Sequence, residues 1–493
     1  MRNMYSAPRG RSAQAGLPIL WFGLTVLCFA FPVAAQQDRN AQQAAAAMKS
    51  AAGFYYGKLN VHGGYVYHYT LDLSQRWGEG LAGPTQIWVQ PPGTPTVGMA
   101  FLRAYEATGD QAYLGAATKA AEAIAYGQLE SGGWTNSIEF NPRSDQTAQY
   151  RNGKGRGKDN SSLDDGQTQS ALQFLIQCDR ALDFKNATIH DSAAVGLQAL
   201  RAAQFPNGAF PQVWTGPVSE QPVLPASYPD YDWRTEGRIK EYWTMYTLND
   251  DVAGYVTDLL IDANSIYDEP IYLEMLRKLG DFLILAQMPE PQPGWAQQYN
   301  YEMKPIWARK FEPPAVSGDE TQEAIKTLMK IAVATGDKKY LQPIDKALRW
   351  LQQSRLPDGR IARYYELKTN RPLYMQRDGK KYELTYSDAR LPDHYGWKTE
   401  SEIETLRNDF GRLSSNLNAK TSWQPDPPSW NEVQAMIKQL DEQGRWISVY
   451  RGERLVGQPK MPMNGPYLSS ETFSNNISAI SRYLISLKSS RTP

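Results

Sequence analysis

The chain has 493 residues, equal numbers of basic and acidic side chains (52 each) and 41% hydrophobic residues. This is the composition of a globular protein that is long enough for one large domain or several small ones. A net charge near zero excludes the broad basic surface of a nucleic-acid-binding protein, so an anionic partner would have to be held by local charges.

The first 35 residues have the pattern of a secretory signal peptide. Three arginines precede the apolar run LPILWFGLTVLCFAFPVAA, which ends in small residues. Because this run is short for a membrane span, we predict cleavage after Ala35, a secreted or periplasmic protein, and no membrane association afterwards. The alternative is an uncleaved N-terminal anchor. Only Cys178 remains after cleavage, which excludes a disulfide within the chain.

Residues 36–493 are predicted to form a single domain, with a core at about 95–400 and a helical C-terminal part at 401–493. Residues 54–95 alternate between polar and apolar and are rich in Tyr and Val, which predicts two or three short strands. Residues 364–400 are also rich in Tyr and contain polar turns.

A helical hairpin pattern recurs through the core. Residues 99–134 and 324–361 each contain a helical segment, the tripeptide TGD, a second helical segment and a turn with glycine, and looser copies lie between them. One such hairpin cannot bury its apolar stripe alone, so the copies must stack. We predict a mainly α fold, a toroid-like incomplete α/α barrel with short β segments flanking the repeats and large loops such as 214–247 at one end. An open solenoid is the alternative.

Acidic residues stand directly before two of the predicted repeat helices. Asp164 and Asp165 precede one helix, and Asp250 and Asp251 precede the next. Alone, such residues are ordinary helix caps. If they converge at the mouth of a toroid, they provide the hard oxygen ligands that suit Ca²⁺, or the acid and base of a glycosidase.

Arginines mark two further segments. Arg309 and Glu312 lie just before a predicted helix, and Arg363 and Arg377 lie in a Tyr-rich strand–turn–strand pattern. They are either solvated surface charges or the planar, bidentate donors that a carboxylate-bearing sugar requires. The four histidines lack zinc-binding spacing, and no phosphate-binding loop or serine-hydrolase motif is present.

Together these segments resemble the pectic acid lyases, polysaccharide lyase family 10. The matching motifs follow the family order: NGAFPQ at 207–212, NDD at 249–251, PGWAQQ at 293–298, ARKFEPPAVSGDE at 308–320 and RYYELKTNRPLYMQRDGKKY at 363–382. The chain departs from the family pattern by its Asp-Asp pair at 164–165, where Asp-Asn is common, and by the insert at 214–247.

The resemblance implies a pectate lyase that degrades pectin, cleaving polygalacturonate or a related uronate polymer by calcium-assisted β-elimination. It implies that Arg309 is the catalytic base and that Arg363 and Arg377 bind substrate carboxylates. Asp164, Asp165 and Asp250 are expected to meet the calcium ion. We expect Trp307, Tyr365 and Asn370 to belong to the substrate-binding surface and the chain to act as a monomer.

Two other functions remain open at this point. One is a toroidal glycoside hydrolase that acts on uronic-acid oligosaccharides through the two aspartate pairs. The other is a non-catalytic polysaccharide-binding toroid. The sequence also leaves open whether a lyase would cut within the polymer or at its ends.

Overall fold

A computed structural model describes residues 25–236, 239–457 and 459–489. Most of the predicted signal peptide, residues 1–24, lies outside this range, and the remainder begins the first helix. Among the described residues no helix is both long and apolar enough to cross a membrane.

The described chain is mainly helical, as predicted. Its helices are α1 (Thr25–Phe54), α2 (Thr94–Thr108), α3 (Gln111–Tyr126), α4 (Gln167–Ala181), α5 (Ala187–Ala202), α6 (Val252–Tyr267), α7 (Pro270–Ala286), α8 (Gly318–Thr335), α9 (Ile344–Ser354), α10 (Ile403–Ser415), α11 (Trp430–Lys438) and α12 (Ser470–Ser489).

The recurring TGD tripeptide ends one helix and starts the next structure. Gly109 closes α2 in the left-handed conformation, with φ of 75°, and Asp110 caps α3 by accepting a hydrogen bond from the Ala112 N–H. Gly336 and Asp337 do the same after α8, with Asp337 capping a short 3₁₀ turn before α9. Glycine adopts this conformation without strain and aspartate accepts from free N–H groups, so the tripeptide produces a tight hairpin.

The hairpins are arranged as an arc of inner and outer helices. The inner helices α2, α4, α6 and α8 pack side by side in chain order, and α3, α5 and α7 pack against them from outside. Helix α12 extends the arc beyond α2, and α10 extends it beyond α8. This arrangement is the predicted incomplete α/α toroid.

Sixteen short strands are described. They are β1 (His68–Thr70), β2 (Arg76–Trp77), β3 (Gln86–Trp88), β4 (Ser137–Glu139), β5 (Ser161–Ser162), β6 (Val213–Trp214), β7 (Tyr246–Thr247), β8 (Gln298–Tyr299), β9 (Val316–Ser317), β10 (Ile361–Ala362), β11 (Tyr364–Tyr365), β12 (Pro372–Asp378), β13 (Lys381–Thr385), β14 (Lys398–Thr399), β15 (Ile447–Val449) and β16 (Pro466–Ser469). Two sheets have four strands, in the orders β15-β16-β1-β2 and β13-β12-β11-β9.

Several strands lie between the hairpins, a location that the sequence did not predict. β5, β7 and β9 stand just before the inner helices α4, α6 and α8. Each pairs with a strand that follows its own hairpin, namely β6, β8 and β11. Two-residue strands carry too little alternation to be recognised in a sequence. Their pairing fixes the N-terminal ends of three inner helices on the same face of the toroid.

Candidate active site

The two aspartate pairs form matching strained turns. Asp164–Gly166 and Asn249–Asp251 are 3₁₀ turns that contact each other at the N-terminal ends of α4 and α6. Asp165 and Asp250 have positive φ angles of 46° and 52°. Such angles are uncommon in residues other than glycine and are often found at functional sites. The two turns therefore bring the predicted metal ligands together at the N-terminal ends of two neighbouring inner helices.

A cavity of about 540 Å³ lies at these turns, and most of its charged lining residues are acidic. Asp165, Asp250 and Asp251 line it, together with Glu79 and Glu323. Asp164 stands behind Asp165, where its Oδ1 accepts a hydrogen bond of 2.6 Å from Gln212 of the NGAFPQ motif.

The crowding of these carboxyl groups makes their ionisation unfavourable. Burial, with the charges of Asp164 and Glu79, raises the pKa of Asp165 to about 6. Burial and the charges of Asp165 and Asp164 raise the pKa of Asp250 well above its ordinary value. Burial is also the main reason that the pKa of Asp251 rises to about 7. The site therefore has an excess of negative charge that a cation would relieve.

Arg363 is a cation next to this cavity, and its side chain is 12% exposed. Its guanidinium donates to Asp319 and Glu320 at 3.0 Å each and to the Asn249 side-chain oxygen at 3.5 Å. Its charge acts to lower the pKa of Asp250, but burial and the two neighbouring aspartates outweigh it. Arg363 thus lies beside the second acidic turn and stays a predicted substrate-binding residue.

Arg309 reaches the same turn through a chain of hydrogen bonds. Its guanidinium donates to Glu312 Oε1 at 2.5 Å, and its backbone N–H donates to Glu312 Oε2 at 2.8 Å. The Gln297 amide nitrogen donates both to Glu312 and to Asn249, at 3.0 and 2.5 Å. The side chain of Arg309 is 46% exposed whereas that of Glu312 is 2% exposed, so the arginine is accessible to a ligand and its partner is not.

Glu312 keeps Arg309 protonated. Partial burial acts to lower the pKa of Arg309, but the hydrogen bond and charge of Glu312 outweigh it and raise the pKa above its ordinary value. Glu312 has this effect because it stands only three positions along the chain and its carboxylate accepts a hydrogen bond from the guanidinium.

Tyr395 is a site residue that the sequence analysis missed. Its hydroxyl donates to Glu312 at 2.9 Å, and its ring lies 5.6 Å from the Arg309 guanidinium and 4.8 Å from that of Arg363. It belongs to the segment HYGW at 394–397, which lies after the last of the matching motifs. Gln297 was likewise missed, although it lies in the PGWAQQ motif.

Arg377 lies at the periphery of the site. On strand β12 it is exposed, donates to the Gly379 carbonyl at 2.7 Å and lies 5.7 Å from the Tyr382 ring. Tyr382 packs on Phe311, whose ring lies 5.1 Å from the Arg309 guanidinium. Arg377 therefore adjoins the Arg309 side of the site and stays a predicted substrate-binding residue.

The predicted binding residues Asn370 and Tyr365 make hydrogen bonds within the protein. Asn370 accepts from the Trp350 indole at 2.8 Å and donates to the Ser354 hydroxyl at 2.8 Å. The Tyr365 hydroxyl donates to the Ser354 carbonyl at 2.6 Å. These bonds hold strand β11 and its following turn against α9, a structural role that motif matching cannot distinguish from substrate binding.

Trp307, the third predicted binding residue, is buried. Its side chain is 3% exposed, and its indole N–H donates to the Trp233 carbonyl at 2.7 Å. This bond fastens the 214–247 insert to the segment that carries Arg309.

Of the predicted calcium ligands, Asp165 and Asp250 line the cavity and Asp164 does not. Within the described ranges, no group of three or more His, Cys, Asp and Glu side chains is arranged to hold a metal ion. Asp165 and Asp250 nevertheless repel each other across one cavity, and they offer oxygen atoms only. This chemistry fits Ca²⁺, provided that other ligands complete the coordination.

The pectic acid lyase family model matches residues 128–362 of this chain. The match confirms the resemblance that the motifs indicated, and with it the class of protein: an enzyme of the polysaccharide lyase class. The matched segment includes both aspartate turns and Arg309. It ends just before Arg363, and the residues of the cavity before 128 and after 362 lie outside it.

Solved structures show more distant similarity. A mutant family 10 polysaccharide lyase from Cellvibrio cellulosa in complex with trigalacturonic acid has 16% identity and a TM-score of 0.45, covering 65% of this chain and 99% of its own. An unsaturated glucuronyl hydrolase specific for heparin has 10% identity and a TM-score of 0.41, covering 92% and 98%. A family 76 mannosidase from Bacteroides thetaiotaomicron has 10% identity and a TM-score of 0.47, covering 92% and 100%. No curated protein matches the chain.

The crowded carboxylates predict an unusual dependence of stability on pH. The pKa of Asp165 is about 6 in the folded protein, above the value near ~4 in the unfolded chain, so ionisation of Asp165 destabilises the fold. This loss of stability begins when the pH rises above the unfolded pKa and is complete above the folded pKa. We expect Asp165→Asn, measured with chelator present, to raise the Tm at pH 7 and to leave it nearly unchanged at pH 4.

The measurement is thermal unfolding followed by circular dichroism at the two pH values. Asparagine keeps an oxygen that can accept the 2.9 Å hydrogen bond from Gln90. Asp145→Asn, in an exposed turn, is the matched control and should leave the Tm unchanged at both pH values. A Tm gain for Asp165→Asn that is equal at pH 4 and pH 7 would contradict the charge-crowding explanation.

Proposed function

We propose that this chain is an exported pectate lyase that cleaves polygalacturonate, or a related uronate polymer, by β-elimination, with Arg309 as the base and calcium as the cofactor. The supporting observation is the hydrogen-bonded network that joins Arg309, Glu312, Gln297 and Asn249 to the acidic cavity. A uronate bound over this network would meet guanidinium groups on one side and carboxylates suited to a cation on the other.

The reaction removes the hydrogen from carbon 5 of a galacturonate, next to its carboxylate. That hydrogen is too weakly acidic for an unaided base. Asp164, Asp165 and Asp250 would hold a calcium ion, and the chemistry it would supply is to offset the negative charge that builds up at this carboxylate. Arg363 adds a fixed positive charge, because its contacts with Asp319 and Glu320 hold the guanidinium in place.

The bonds in this step balance without an oxidant or reductant. Neutral Arg309 takes the proton from carbon 5, and the C–H electron pair forms a double bond between carbons 4 and 5. The bond from carbon 4 to the glycosidic oxygen breaks, and this oxygen takes a proton from water. Protonated Arg309 then gives its proton to the hydroxide that is left and becomes neutral again. The product is an unsaturated uronate, which absorbs ultraviolet light.

Arg309 can act as the base only when it turns away from Glu312. Tyr395 and Gln297 both donate to the Glu312 carboxylate, at 2.9 and 3.0 Å. We propose that these two bonds keep Glu312 in position while the half-exposed guanidinium of Arg309 moves to the substrate. Glu312 therefore sets the pH range over which Arg309 has a neutral fraction.

Replacing Glu312 by glutamine tests this role. Glutamine keeps the shape but removes the charge that raises the pKa of Arg309, so we expect the pKa of the base to fall. The pH profile of kcat should shift to lower pH by the same amount. Glu302→Gln, which affects an exposed side chain, is the control. An unshifted profile would indicate that Arg309 acts as a permanent cation and not as the base.

The proposed reaction is tested by incubating the protein with polygalacturonate while ultraviolet absorbance is recorded. We expect absorbance to rise and a chelator to abolish the rise. New reducing ends without absorbance would favour the glycoside hydrolase, and binding without either product would favour a non-catalytic toroid.

Arg309→Lys in the same assay tests the assigned base. Lysine keeps the positive charge but cannot reproduce the reach of the guanidinium, so we expect kcat to fall by about 10³-fold or more with oligogalacturonate binding retained. Arg355→Lys, at an exposed arginine that donates to the Gly359 carbonyl, should have full activity. A wild-type rate for Arg309→Lys rules out Arg309 as the base.

A further inference from the structure

The loop between β15 and β16 extends from the C-terminal part of the chain to the acidic cavity. Its base is closed by two hydrogen bonds, from the Tyr450 N–H to the Gly465 carbonyl at 3.0 Å and from the Asn464 N–H to the Tyr450 carbonyl at 2.8 Å. We call residues 451–457 the C-terminal strap.

One side of the strap is anchored on the sheet formed with β1 and β2. The Val456 carbonyl lies 3.1 Å from His68 Nε2 on β1. Gly457 has a φ of 73°, and a Cβ atom there would lie only 2.0 Å from the Gly78 carbonyl oxygen, just after β2. Only glycine fits so close an approach of two backbone segments.

The other side of the strap is anchored on the segment that carries Tyr395. The Arg454 guanidinium donates to the His394 carbonyl at 2.8 Å. The strap therefore spans from the β1–β2 sheet to the residue next to Tyr395, which contacts Glu312 and both site arginines. A segment that is fixed on both sides forms a wall.

This wall faces the acidic cavity. Arg454, Leu455, Val456 and Gly457 line it opposite the aspartate turns. Among the described residues that line the cavity, Arg454 is the one with a cationic side chain. A guanidinium has five N–H donors, and the bond to His394 uses one of them.

We propose that the C-terminal strap closes one end of the uronate-binding groove, and that Arg454 binds the carboxylate of the terminal uronate there. The enzyme then removes short products from the ends of the polymer. This inference rests on the proposed lyase activity and adds to it a cleavage mode and a specificity-determining residue. The strap lies outside the segment that matches the family model, residues 128–362.

The proposed cleavage at the ends of the polymer has a steric reason and an electrostatic one. A polymer cut at internal bonds must leave the site in both directions, and a wall anchored at His68, Gly78 and His394 blocks one of them. A polyanion entering a cavity lined by five acidic side chains is repelled unless cations offset them. Arg454 supplies a planar donor group that matches a carboxylate at the closed end.

The cleavage mode is tested with the wild-type enzyme on polygalacturonate by recording viscosity, ultraviolet absorbance and product length together. We expect a small loss of viscosity per double bond formed, and short unsaturated products from the first time points. Rapid loss of viscosity with a broad early mixture of long oligomers would overturn the inference while leaving the lyase proposal intact. No absorbance at all would overturn both.

Arg454 is tested by substitution with glutamine. Loss of one charge-assisted contact predicts that KM for trigalacturonate rises about tenfold while kcat stays within about twofold. Arg454→Lys, which keeps the charge, should remain within about threefold of the wild-type KM. The matched control is Arg451→Gln on the same strap, because Arg451 donates to Asn464 within the loop and does not line the cavity.

Equal effects of Arg454→Gln and Arg451→Gln on KM would overturn the assignment of Arg454. Circular dichroism establishes that each variant is folded. If Arg454→Gln does not fold, Arg454→Lys and the product pattern of the wild-type enzyme still test the inference. An unchanged KM for Arg454→Lys together with short wild-type products supports the inference. Long wild-type products overturn it.

Discussion

The pairing of short strands at the start of the inner helices is the constraint on which the site depends. Strands β5, β7 and β9 each bind a strand that follows the same hairpin, so α4, α6 and α8 begin on one face of the toroid. Without this pairing, the aspartate turns would be two independent helix starts. With it, Asp165 and Asp250 come close enough that the charge of Asp165 raises the pKa of Asp250.

Asn249 connects the two halves of the site. Its side-chain oxygen accepts from Gln297 and lies 3.5 Å from the Arg363 guanidinium, and its backbone begins the turn that carries Asp250. One amide thus joins the Arg309–Glu312 pair to the acidic cavity. The acidic cavity has excess negative charge, and the arginines stand on its other side. This arrangement suits a carboxylated sugar that is bound together with a cation.

The sequence predicted those features of the fold that depend on residues close together in the chain. The TGD tripeptides predicted the hairpins because their glycine and aspartate act within a few residues. The aspartate pairs predicted the convergence of ligands because hairpin repetition places equivalent positions on the same face. The Glu312–Tyr395 contact, the Asn370 hydrogen bond to Gln292 and the cavity shared by the strap and Asp165 all join residues far apart in the chain. No pattern in a single sequence marks such contacts.

The same limit applies to the motif residues, whose predicted role in substrate binding stays a prediction. Tyr365, Asn370 and Trp307 lie in or beside motifs that resemble the family, but their polar atoms hold the protein together. A motif contains the residues that build a site as well as those that touch a ligand. Only burial and hydrogen-bond partners separate the two groups.

The central claim is that Arg309, Arg363 and the two aspartate turns act on one bound uronate. The most direct measurement is a crystal structure of the Arg309→Lys variant with an oligogalacturonate and calcium. We expect one substrate carboxylate to share the ion with Asp165 and Asp250, with Lys side-chain density at position 309 facing carbon 5 of that sugar. A saccharide bound away from these turns, or an ion bound elsewhere with the turns free of ligand, would contradict the claim.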